Sequence, residues 1–147
     1  MHDPEVLAFL NRHLQSIQEN DMDTYHATTS EDLTLYEWWV TPQRIDGIPF
    51  HDFMMEANTR RGTVFGAEAC EGGRVRLDLS NLRIQRYGDT AIASYTMLIS
   101  AETALGVRVD SHNESRVMVR LDDAWKVVHV HKSPAWQAAH MPAAIDG

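Results

Sequence analysis

A chain of 147 residues, 44% hydrophobic and 23% charged, has room for one hydrophobic core and too little for two, so one domain spanning residues 1–147 is expected. Its formal charge of -8, with 13 Lys and Arg scattered among 21 acids, excludes the basic stripe that a nucleic-acid partner requires. One cysteine, Cys70, excludes an intramolecular disulfide, and "GAEACEGG" around it offers no His or Lys to activate the thiol.

The opening "MHDPEVLAFLNRHLQSIQEN" carries charges from its first residues and no unbroken apolar run. Neither a signal peptide nor a membrane span is expected, and a cytoplasmic location follows as the default. Asp3-Pro4 reads as an N-cap with proline at N1, and Val6, Leu7, Leu10, Leu14 and Ile17 recur at helical spacing. "ENDMDTYHATTS" suggests a second, short helix ending before Ser30, "DLTLYEWW" alternates as a strand, and Asp46-Gly47 marks a turn. "PFHDFMMEANTRRG" predicts a third helix that stops at Gly62.

From Gly73 onward the period changes to two. Strands are predicted in "RVRLDLSNLRIQRYG", "TAIASYTMLISAET", "VRVDSHNESRVMVRLDD" and "AWKVVHVHKS", separated by "YGDT", "ALG" and "LDDA". Helices first and a long antiparallel meander afterwards predict an α+β domain with one helical layer on the sheet.

Three segments, "DLTLYEWW", "IPFHDFMMEAN" and "NESRVMVRLDDAWKVVHVHKS", resemble the association (hub) domain of calcium/calmodulin-dependent protein kinase II, within the NTF2-like and SnoaL-like superfamily. The most specific part is Glu114-Ser115-Arg116, then Trp125, then His129-x-His131-Lys132-Ser133, where that family reads Glu-Thr-Arg, Trp and His-x-His-Arg-Ser-Gly. Gly47, Phe50, His51 and Phe53 match a further Gly-x-x-Phe-His-x-Phe pattern. The resemblance implies a cone: a strongly curved antiparallel sheet wrapped around N-terminal helices, with an internal pocket. It also implies self-association through the outer face of the sheet, as a dimer or a larger ring. No kinase or calmodulin-binding segment fits in this length, so a stand-alone relative is expected.

Strand parity sorts the candidate residues. Trp125, Val127, His129 and His131 share one parity; Lys126, Val128, Val130 and Lys132 share the other. The resemblance turns Lys132 and Arg116 into the pocket, which leaves His129 and His131 on the outer, interface side. Two cations facing one cavity need a counter-charge. A small carboxylate ligand would supply it through Arg116, unless Glu114 or Glu37 pairs with Arg116 as internal structure. His112 on the neighbouring strand, Thr96 at the place of a pocket arginine in the hubs, and Trp38 at the pocket mouth complete the expected binding set, with Tyr95 facing outward.

Two histidines at i and i+2 with only His112 as a recruit make a poor metal site, so neither metal nor cofactor is expected. The alternative to a ligand-binding, oligomerising domain is a small SnoaL or ketosteroid-isomerase type of enzyme moving a proton beside a carbonyl. His51 or Glu37 would be its base and Tyr36 its oxyanion donor, although parity lets only one of Tyr36 and Glu37 face the cavity.

Overall fold

The computed structural model describes residues 2–61, 69–70 and 73–135. Helix α1 (Pro4–Gln18) starts where expected: the Asp3 carboxylate accepts from the Val6 amide at 3.1 Å, and Pro4 fills the first helical turn. Its buried stripe is Val6, Phe9, Leu10, His13, Leu14 and Ile17, so one polar ring stands in an otherwise apolar row. Asn20, with φ of 53°, reverses the chain, and Asp21 caps α2 (Met22–Thr28), which buries Tyr25 and Thr28.

The sheet has six strands: β1 (Thr29–Tyr36), β2 (Ile45–Asp46), β3 (Val75–Tyr87), β4 (Thr90–Thr103), β5 (Gly106–Leu121) and β6 (Ala124–Pro134). Their order is β2-β1-β6-β5-β4-β3, in a curved open sheet. Helix α3 (Pro49–Arg61) lies between β2 and β3 in the chain, so Gly62, the expected stop, falls outside the described residues. Pairing from β3 to β6 is antiparallel, as the turn residues dictate; Gly88, Asp122 and Asp123 all adopt the positive φ that tight hairpins need. The β1–β6 pair is parallel, which makes the sheet mixed. No local turn joins these two strands, so no local residue pattern announces them.

One face of the sheet packs on α1. On β4 it carries Ala91, Ala93, Tyr95, Met97 and Ile99, and on β5 His112, Glu114, Arg116 and Met118. Tyr95 therefore points inward and Thr96 outward, the reverse of the expected assignment. The register explains it: Tyr95 pairs with the buried Glu114, while Thr96 pairs with the exposed Asn113 and bonds to its Oδ1 at 2.7 Å.

Strand β6 changes faces partway along. Met118 pairs with Val127 but Val117 with His129, so Val128 is an extra residue, a β-bulge. Trp125 and Val127 before the bulge, and Val130 and Lys132 after it, are all buried. Simple alternation from Trp125 would have buried His129 and His131. The bulge instead turns both outward, where Thr34 Oγ1 meets His129 Nδ1 at 2.7 Å and the Tyr36 ring lies 5.0 Å from that of His131.

Candidate functional site

The inner face of the sheet holds a chain of buried polar groups that begins in α1. His13 Nδ1 lies 2.8 Å from Thr28 Oγ1, whose own proton goes to the Thr24 carbonyl at 2.8 Å. Thr28 must then accept, so Nδ1 carries the imidazole proton and Nε2 is left as an acceptor. Arg116 Nη1 donates to that Nε2 at 3.1 Å. Burial, reinforced by the Arg116 charge, keeps His13 neutral by holding its pKa well below the ordinary value.

Arg116 and Glu114 form the centre of this network, each about 2% exposed. The guanidinium donates through Nε to Tyr95 Oη at 2.9 Å and to Glu114 Oε1 at 3.2 Å, and Tyr95 passes its own proton to the same carboxylate oxygen at 2.5 Å. His112 Nε2 donates to Glu114 Oε2. Burial by itself would raise the pKa of Glu114, but the Arg116 charge, then that of Lys132, outweighs it and holds the group below the carboxylate range. Trp38 and Trp39 cover His112, with ring centroids 5.8 and 5.9 Å away.

A second buried pair lies beside the first. Lys132 Nζ donates to Glu37 Oε1 at 2.6 Å and sits 5.3 Å from the centre of the Trp39 ring. His51, on α3, faces it with Nε2 3.8 Å from the same Glu37 oxygen. Burial first, then the Lys132 and Arg116 charges, push its pKa down to about 3, so the ring is neutral near pH 7. His51 Nδ1 is buried with no hydrogen-bond partner among the described residues. Leaving such an atom dry costs about 1–3 kcal/mol.

Glu37, His51, Lys132 and the buried Asn58 are the polar groups that border a cavity of about 60 Å³, walled otherwise by Ile17, Trp39, Phe50, Met54 and Met55. Of the residues expected at a site, the fold brings Glu37, His51 and Lys132 together and sets Arg116 and His112 in the adjoining network. Tyr36 lies on the outer face against His129 and His131, so it does not join His51 and Glu37. Thr96 is also outside, and Trp38 packs on Trp39 at 4.4 Å rather than lining the cavity. The two cations are already matched by Glu114 and Glu37, so charge balance calls for no carboxylate ligand. Among the described residues, no group of three or more His, Cys, Asp or Glu is placed to hold a metal ion, and no helix is long and apolar enough to cross a membrane.

Two members of the network, His13 and Tyr95, are not among the site residues expected from the sequence. His13 carried a usable signal: it sits three residues after Leu10 and four before Ile17, squarely in the apolar stripe, where a polar ring needs internal partners. Tyr95, expected to face outward, lies on the inner face opposite Glu114.

Comparison with known proteins agrees with this architecture. The hub of the S. rosetta kinase superimposes with a TM-score of 0.73 at 23% identity, over 92% of this chain and 99% of the hub. The association domain of the C. elegans kinase gives 0.73 at 24%, over 88% and 92%. An NTF2-like protein from Cytophaga hutchinsonii gives 0.66 at 18%, over 91% and 99%. These likenesses show a shared fold. The family model for the calcium/calmodulin dependent protein kinase II association domain matches residues 2–136. With nearly the whole sequence accounted for in this way, the chain belongs to the calcium/calmodulin dependent protein kinase II association domain family.

Proposed function

We propose that this protein is an oligomerising domain that associates through the outer face of its sheet and keeps a small-molecule pocket inside. The observation that carries the proposal is the chemistry of that outer face. Across β4 and β5 the outward pairs are Glu102–Val107, Ser100–Val109, Leu98–Ser111, Thr96–Asn113, Ser94–Ser115, Ile92–Val117 and Thr90–Val119. Of these positions Glu102 alone, at the end of the row, is charged, in a chain where 23% of residues are. Val107 and Val109 extend the surface, 66% and 56% exposed. The charged residues Arg76, Asp78 and Arg83 lie on β3 at the margin. An uncharged centre with a charged rim is the usual anatomy of a protein interface. The hub and association-domain relatives support the same reading.

The mid-sheet position Ser115 offers a direct test. It pairs with Ser94 and His131 and is exposed, so arginine is tolerated there in an isolated subunit. Facing its own copy, it would set like charges together at a cost of several kcal/mol. Ser115→Arg is expected to sediment as a monomer at concentrations where the parent chain is oligomeric, with its melting temperature nearly that of a folded subunit. An unchanged sedimentation coefficient for the variant, or a parent chain that is already monomeric at tens of micromolar, would defeat the proposal.

The interior pocket is the second half of this reading. A carboxylate ligand draws less support, because Lys132 is already matched by the buried Glu37. Proton transfer draws less support than binding. Tyr36 is on the far face from His51, and a ring whose pKa is pushed down to about 3 is a weak base near neutral pH.

A further inference from the structure

We infer that the first part of β5 is a second contact surface, an open strand edge that pairs antiparallel with the same edge of another copy of this chain. The inference rests on the outer-face reading above and adds to it a contact made through the backbone. Three observations converge on it.

The first is the edge itself. The ladder between β5 and β6 stops at His112–Pro134, where proline has no N–H to extend it. Beyond that point residues 106–111 pair with β4 alone among the described residues. Residues 104–110 are all exposed.

The second is the direction of the backbone groups. Antiparallel partners alternate between pairs that exchange hydrogen bonds and pairs that do not, so successive residues turn their N–H and C=O groups to opposite neighbours. The Arg120 amide donates to the Asp89 carbonyl, on the β4 side, at 2.7 Å. The β4–β5 register runs unbroken from Thr90–Val119 to Thr103–Gly106, so the even-numbered residues of β5 serve β4. Val107, Val109 and Ser111 therefore direct their N–H and C=O groups to the open edge. Such a row is a template for another strand.

The third is charge. Arg108 and Asp110 flank Val109, both exposed, and meet each other at 3.2 Å along the strand. A twofold axis at Val109 would set Arg108 opposite the partner's Asp110, twice over, in the closely spaced pairs that exchange no backbone bonds. Val109–Val109 and Val107–Ser111 would then exchange them. A register centred on Arg108 or on Asp110 would instead oppose like charges. The segment is thus complementary to itself in one register, as a contact between identical surfaces requires.

An edge this short is too small to hold two subunits by itself, so it joins copies already paired through the outer face. Sedimentation of the full chain with two charge reversals tests this. The parent chain is expected to form species larger than a dimer. Arg108→Asp and Asp110→Arg each oppose like charges across the edge and are expected to stop at the dimer, with melting temperatures near that of the parent. An equal mixture of the two variants restores opposite charges and is expected to bring the larger species back. Larger species that persist in Arg108→Asp alone, or no recovery in the mixture, would overturn the edge pairing. A parent chain that stops at the dimer would overturn it and leave the outer-face reading standing, whereas a monomeric parent would overturn both.

Discussion

Replacing Arg116 with alanine is expected to cost about 3–5 kcal/mol of folding free energy, seen as a fall of roughly 10–15 °C in melting temperature. The loss comes less from the missing guanidinium than from what stays behind. Glu114 is 2% exposed and would keep its charge in a site stripped of its main counter-ion, with Tyr95 and His112 still donating to it. His13 Nε2 would lose its donor as well. Removing both charges should be milder than removing one, so Glu114→Gln with Arg116→Met is expected to recover more than half of the loss. Urea unfolding of the two single variants and the double variant measures this coupling. A loss below about 1 kcal/mol for Arg116→Ala would mean that these groups are hydrated in solution, contrary to the geometry described.

Acid should weaken the fold well before its carboxylates titrate. His13 and His51 are neutral in the native state because burial depresses both, His51 to about 3. In the unfolded chain each protonates near 6.5. Between these limits the unfolded state binds more protons, so stability rises with pH and is lost as pH falls below 6.5. The His51 ring contributes ~1.4 kcal/mol per pH unit in that window, about 2 kcal/mol between pH 7 and pH 5, and His13 adds to it in the same direction. Glu114 has the opposite chemistry and a lower window: its stabilisation is full above the unfolded carboxylate pKa and declines only below about 4.5. Urea midpoints at pH 7, 6 and 5 separate the two, and His51→Gln should flatten the slope. Equal stability at pH 7 and pH 5 would show that the native rings take up protons as readily as the unfolded ones.

Much of this architecture was legible because it rests on local rules. The Asp3-Pro4 cap, the stripe from Val6 to Ile17 and the turn residues at Gly88 and Asp122-Asp123 bracket elements that form where the pattern places them. The parallel β1–β6 pairing was not legible, since strands about a hundred residues apart carry no mark of their mutual direction. At the candidate site, residue types were easier to read than residue partners. Arg116, Lys132, Glu37 and His51 stand out in the sequence, which is equally compatible with internal pairing to an acid and with a bound carboxylate. Which acid meets which cation depends on cross-strand register and on where β1 ends, and those are tertiary facts. His13 shows the remaining gap: its partners, Thr28 and Arg116, come from another helix and a distant strand.

The extra residue at Val128 lets the two halves of β6 keep opposite odd-even phases in the sequence. Deleting it would let His129 follow Val127 in plain alternation, with His129 and His131 still outward and Val130 and Lys132 still inward. The bulge residue is therefore the one position in this stretch that can be lost without exchanging the two faces. Paired straight through, the intact strand would instead turn both histidines inward and expel Lys132 from Glu37. An alignment that keeps one phase along the whole strand, with no gap at the bulge, would exchange cavity residues for surface ones.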